Sequence, residues 1–261
     1  PGVDVNEIDL TNVIPAVSTS IGGYAGHFRW GPAGELITIT SENELQSTFG
    51  TPDGAHSVSF LVAASFLKYG NALKISRAVN GSDRNAIAGG TSAEVVTSPI
   101  NNLLEFENLT HADNHEAFFA RCPGAAGNKL QVIVGHGETF SNDNFDFVPA
   151  TSDYASTAGV GSHVNDEIHV LVIDKEGYFS GTVGAILEKY QGLSLASDAK
   201  LDTGNTNYYK DVINKKSQFI FANTLVGQYT NADKDLSDSD TNTTAVTFAE
   251  VASKFMSVTI S

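Results

Sequence analysis

The stretch that decides the fold is HSVSFLVAASFLKYGNALKISRAV, residues 56–79. Residues 56–69 place Val58, Leu61, Val62, Ser65, Phe66 and Tyr69 on one stripe at helical spacing, and Gly70 follows where a C-cap belongs. That pattern predicts a core helix with the stripe turned inward. ALKISRAV (72–79) then alternates with a period of two, putting Leu73, Ile75 and Arg77 on one face and Ala72, Lys74, Ser76 and Ala78 on the other. A helix leading straight into such a strand defines a mixed α/β unit.

Upstream, LITIT (36–40) reads as an apolar strand, and Ser41 and Glu44 stand at capping-box spacing at the start of a short helix that Gly50 ends. The glycines of TSIGGYAGHFRWGPAG (19–34) suit close backbone approach. Residues 1–18, PGVDVNEIDLTNVIPAVS, set Val3, Val5, Ile8 and Leu10 among acidic and amide residues with no hairpin turn to supply a partner strand. They read as an extended arm. An isolated strand leaves its amides and carbonyls unpaired, so it either packs on its own domain or completes another sheet edge. The first block thus runs strand, strand, helix, helix, strand.

Downstream, NGSDRNAIAGGT (80–91) is rich in glycine and small polar residues and marks a domain crossing. Beyond it, 103–107, 129–134, 167–173 and 183–187 read as short β-runs between turn clusters such as PGAAGN and DKEG, so 91–205 is expected to be a mostly β insertion. Residues 207–216 have helical periodicity, and QFIFA (218–222) reads as a buried strand. A polar loop follows over 229–244, then helical spacing through Phe248, Val251, Ala252 and Phe255. A chain that stops at SVTIS within an alternating run is expected to be truncated at its C-terminus.

With 41% hydrophobic and 17% charged residues the chain is expected to fold. Thirty acidic against fifteen basic side chains give a net charge of −15, which repels nucleic-acid phosphates and anionic lipid. No apolar run reaches the ~20 residues a membrane helix needs. The single Cys122 has no intramolecular disulfide partner and reads as an inert thiol.

The opening PGV-x-V-x-E, then GYAGHFRWGP (23–32), the FG at 49–50, SFLVAASFLKYGN (59–71) and LKISRAV (73–79) occur in an order and spacing that resembles the N-terminal region of contractile tail sheath proteins of myovirus-type bacteriophages. Weaker echoes lie at RCPGAAGNKLQVIV (121–134) and SQFIFAN (217–223). The resemblance implies an α+β architecture: a split α/β core domain over 19–82 and 217–261, an inserted β-rich outward-facing domain over 91–215, and an inter-subunit arm over 1–18. Val3, Val5, Ile8 and Leu10 would then form the strand donated to a neighbour. It further implies a structural subunit, not an enzyme, without metal or cofactor. Its partners would be further copies of itself, in hexameric rings stacked into a helical sheath, and the tail tube and baseplate through regions largely absent here. No nucleic acid is bound and no membrane entered. The protein would be assembled in the host bacterial cytoplasm into the virion tail, where it contracts to drive the tube through the host envelope. The sheath of another contractile injection system, or a virion module binding host glycans through 91–205, are the competing readings.

Other motifs point to chemistry only weakly. His111 and His115 stand four apart beside Asp113 and Glu116, but HADNHE lacks the His-Glu-x-x-His order of a zinc helix. GHGET (135–139) and GVGSH (159–163) lack the full spacing of a phosphate loop, and Phe179 breaks a nucleophile elbow at Ser180. The aspartates 233, 235, 238 and 240 lack the central glycine and final glutamate of an EF-hand loop. Trp30, beside Gly31 and Pro32, is expected to plug a core.

Overall fold

The computed structural model describes residues 21–81, 83–88, 99–109, 118–136, 143–157, 166–223 and 244–247. It is an α+β structure with three open sheets. In the first, β1 (Ile21–Gly26) and β3 (Ala72–Arg77) run parallel, and β2 (Leu36–Ile39) lies antiparallel on the far side of β3. Two helices, α1 (Glu42–Phe49) and α2 (Ser57–Leu67), cover one face, closing a core around Phe28, Ile39, Leu45, Phe49 and Ile75. From β2 to β3 the element order is the one read from the sequence; the first strand is the glycine segment Ile21–Gly26, which was not read as a strand, while the strand expected within 1–18 lies outside the described residues.

Local chemistry sets the boundaries. Ser41 Oγ accepts the Glu44 amide at 3.2 Å, as a capping box requires. The returning Glu44 carboxylate reaches one residue further than expected, accepting from both the amide and the hydroxyl of Thr40 at 2.8 Å. Those bonds, the backbone one foremost, hold the Glu44 carboxyl below its usual range. Gly50 closes α1 at φ +81°, in the left-handed region that disfavours a side chain.

The second sheet joins β4 (Ile87–Ala88), β5 (Phe118–Ala120) and β9 (Ile220–Ala222), all antiparallel. The third has the order β10-β6-β7-β8, formed by β6 (Leu130–His136), β7 (Glu167–Asp174), β8 (Ala185–Ser194) and β10 (Thr244–Thr247). Cross-strand pairs such as Val132 with Val172 and Val134 with Val170 fill the core between them. A 3-10 turn over Ala125–Lys129 leads into β6. The short helix α4 (Asp153–Thr157) is anchored where the Ser152 amide donates to Asp166 at 2.7 Å, and α5 (Tyr209–Lys216) packs on β9 through Ile213 and Val212.

Two expectations differ from what is observed. Leu103–Glu107 is a helix, α3, not a β-run: Asn102 caps it by accepting the Glu105 amide at 2.9 Å, and Glu105 in turn accepts the Asn101 amide. Side-chain capping outcompeted a five-residue apolar pattern too short to distinguish strand from helix. Residues 244–247 are a strand on the edge of β6, not the beginning of a helix. The described strands of 217–261 lie in the second and third sheets, with Phe221 stacked on Phe106 at 4.7 Å.

Candidate assembly surface

The face that α2 presents inward is decided by β1. A Cβ on Gly22 would meet Phe66 Cζ at 2.5 Å, and one on Gly26 would meet Ser59 Oγ at 3.0 Å, so the helix lies against bare glycine backbone. Such close approach favours the small residues of the helix. Phe60, Ala63 and Ala64 are buried and Phe66 and Leu67 pack beside them. Of the stripe expected to form the core only Phe66 packs inward, and the rest points the other way: Val58 is 73% exposed, Leu61 57%, Val62 48% and Tyr69 92%. The helix is apolar all round, and its periodicity fits either face. Glycine against helix breaks the tie.

The opposite face of the same sheet is also open. Ile21 and Leu36 are exposed, and nothing lies within 4 Å of where a Gly23 Cβ would stand.

Two arginines and a tryptophan tie the first sheet to the rest. Arg77, buried on the inward face of β3, donates from Nε to the Phe28 carbonyl at 3.2 Å, from Nη1 to Gly31 at 3.0 Å and from Nη2 to Pro123 at 3.1 Å. Around it Trp30 packs on Phe179 and Phe219 at 5.1 and 6.2 Å, and the Arg29 guanidinium covers the Tyr178 ring at 3.5 Å. The sequence put Arg77 in phase with Leu73 and Ile75, and that was the signal for a buried cation, although no role followed from it. Trp30 plugs a core as expected. A cleft of about 530 Å³ opens beside this joint, between Pro32, Asn101, Arg121 and Lys216.

Cys122 is buried at the same joint, and burial pushes its thiol up to about 12 despite the pull of Arg77. Ser180 belongs to a loop fastened by Asp174. That carboxylate accepts the amides of Tyr178, Phe179 and Ser180 at 2.7–2.8 Å as well as the Ser180 hydroxyl. Burial raises the Asp174 carboxyl, but these bonds outweigh it and leave the group below its ordinary range. The arm residues Val3, Val5, Ile8 and Leu10 lie outside the described residues, as do His111, His115, the 159–163 segment and the aspartates between 233 and 240. Among the described residues no group of three or more His, Cys, Asp or Glu side chains is placed to hold a metal ion, and no helix is long and apolar enough to cross a membrane.

The first sheet, covered by α1 and α2 on one face, is joined to the β-rich sheets through Arg77 and Trp30. Residues 19–78 match the family described as Tail sheath protein Gp18 domain III N-terminal region. The tail sheath protein of Vibrio phage KVP40 is 36% identical over 106 residues, covering 41% of this chain and 14% of that protein. For the tail sheath protein of Enterobacteria phage T4 the identity is 34% over 132 residues, 51% of this chain and 17% of the relative. The tail sheath protein of Salmonella phage ViI is 28% identical over 192 residues, 71% of this chain and 27% of the relative. The chain thus spans 14–27% of the length of these relatives. Sheath tail proteins of Listeria innocua and Desulfitobacterium hafniense are similar at TM-scores of 0.38 and 0.37, with 13% and 17% identity. The matches cover 83% and 77% of this chain and 31% and 34% of those structures, and at such scores carry no detail of the present fold. Residues 19–78 match a tail sheath domain, and the chain is similar to tail sheath proteins of bacteriophages, a structural family.

Proposed function

We propose that this chain is part of a subunit that polymerises around a tail tube and contracts to drive the tube through a host envelope. The observation that supports this reading is the match of residues 19–78 to a tail sheath domain. Residues 1–18 act as an arm whose Val3, Val5, Ile8 and Leu10 add a strand to a neighbouring copy, the 19–82 unit belongs to the core and the 91–215 segment is its outward insertion. Copies form hexameric rings stacked into a helix, assembled in the host cytoplasm and carried in the virion tail, with the tube and baseplate as further partners. Each backbone bond of an added strand contributes only ~0.5–1.5 kcal/mol net, so cohesion rests on many such links acting together. Deleting residues 1–18 from the whole protein tests the arm: folded subunits that no longer form linked tubes are expected, and tubes that assemble and contract normally without the arm refute it.

A further inference from the structure

We propose that the cleft of about 530 Å³ beside the joint is a binding site for an acidic segment of another polypeptide. Three cations converge on it: Arg121, just past the end of β5, and Lys215 and Lys216, in the last turn of α5. Among the described residues Glu35 is the one acidic side chain on its wall. The chain as a whole carries thirty acidic against fifteen basic side chains, so this local excess runs against the general charge. The cations here are also unpaired. Elsewhere Lys129 and Lys189 each meet a carboxylate, at 2.7 and 3.1 Å. Arg121 instead donates from Nη1 to the Asn214 carbonyl at 3.1 Å and lies over the Phe221 ring at 4.6 Å, with no carboxylate in ion-pair range among the described residues. Lys215 and Lys216 are exposed, and among the described residues neither ammonium has an ion-pair or hydrogen-bond partner. A helix C-terminus favours lysine through its dipole, which accounts for those two charges. Arg121 comes from a different element, so its convergence on the same cleft does not follow from the helix. Burial lowers the Arg121 pKa, and a carboxylate arriving in the cleft would offset that desolvation.

The walls favour a peptide over other anions. A planar guanidinium pairs with a carboxylate through two parallel N–H···O bonds, and the flexible lysines beside it suit a second carboxylate. The volume lies within the ~300–1,000 Å³ of ligand clefts, far more than a phosphate ion fills. Trp30 and Phe219, stacked on each other, give one wall an apolar surface for an aliphatic side chain. Asn101 on the opposite wall donates from Nδ2 to Glu105 at 3.0 Å, and its Oδ1 is buried without a partner. A peptide N–H satisfies that acceptor, whereas inorganic phosphate competes with it. A nucleic acid gains its affinity from many phosphates neutralised together, which three cations on a chain of net charge −15 do not supply. Salt confines the overall negative field to about 8 Å at physiological ionic strength, so inside the cleft the local cations prevail.

The single tryptophan, Trp30, stands on the wall and reports occupancy. Its emission is followed in the 261-residue chain as a blocked hexapeptide of alternating aspartate and leucine is added, and calorimetry gives the affinity. The same peptide with asparagine for aspartate, inorganic phosphate and an oligothymidylate are the comparison probes. The aspartate peptide should change the emission to saturation, and the asparagine peptide should leave it unchanged. Reversing both exposed lysines, Lys215→Glu with Lys216→Glu, should weaken binding about tenfold or more while the fold is kept. Arg121→Gln should weaken it similarly and Arg121→Lys by less. Lys200→Glu, exposed and not on the cleft wall, should leave it unchanged. No response at ~1 mM aspartate peptide, an equal response to the asparagine peptide, or binding that survives reversal of both lysines each overturns the proposal. Phosphate or the oligonucleotide binding as tightly as the peptide also overturns it, assigning the cleft to another anion.

Discussion

Replacing Arg77 by Met keeps most of the unbranched stem of the side chain and removes its guanidinium. Three carbonyl oxygens, of Phe28, Gly31 and Pro123, then lose a charged donor at 3.0–3.2 Å. Each such bond contributes roughly 1.5–3 kcal/mol, giving a gross loss of about 4.5–9 kcal/mol. The desolvation cost of the buried guanidinium, several kcal/mol, disappears at the same time and offsets part of it. A net destabilisation of about 3–4 kcal/mol is expected, in the range found when one partner of a buried charged contact is removed. At this chain length that corresponds to a fall in Tm of about 10 °C. Arg77→Lys supplies one compact ammonium in place of a three-way fork and should lose about half as much. Denaturant titration followed by Trp30 fluorescence is the natural assay, since this is the single tryptophan and it lies buried at the same joint. A Met variant within about 1 kcal/mol of the parent would show that the carbonyls find other donors and that Arg77 does not hold the joint.

Two further outcomes follow from single positions. Gly22→Val should destabilise the first sheet by about 1–3 kcal/mol, because its Cβ falls 2.5 Å from Phe66; adding Phe66→Leu should restore part of the loss, and denaturation midpoints of the single and double variants decide it. The Asp174 carboxyl is held below its ordinary value, so its contribution is present above the unfolded pKa of about 3.9 and is lost as pH falls through the lower folded value. Asp174→Asn should therefore lower stability at neutral pH and flatten the acid limb of the stability curve, measured by denaturant titration between neutral pH and pH 2; an unchanged limb would assign acid sensitivity elsewhere.

The helix over 42–49 was legible because cap and closing glycine agree, and the strand over 72–77 from its alternation; the helices over 57–67 and 209–216 were legible from composition and spacing alone. Strand β1 was harder: IGGYAG has little β-propensity, and what fixes it is pairing with β3 and contact with α2, both long-range. The same glycines explain why the inward face of α2 was misread, since a helix apolar on every side carries no period that prefers one face. QFIFA was recognised as buried, but burial names no partner, and only the ring stack of Phe221 on Phe106 shows which sheet it joins. For the candidate surface, the sequence supplied the residues of the α2 stripe and the burial phase of Arg77, and tertiary packing alone supplied their roles.

Electron microscopy of the purified whole protein tests sheath assembly most directly. Striated hollow cylinders with a regular axial repeat are expected in solution without any added catalyst or nucleotide. A protein that stays monomeric at every concentration and ionic strength, alone and with its tail tube, would contradict it.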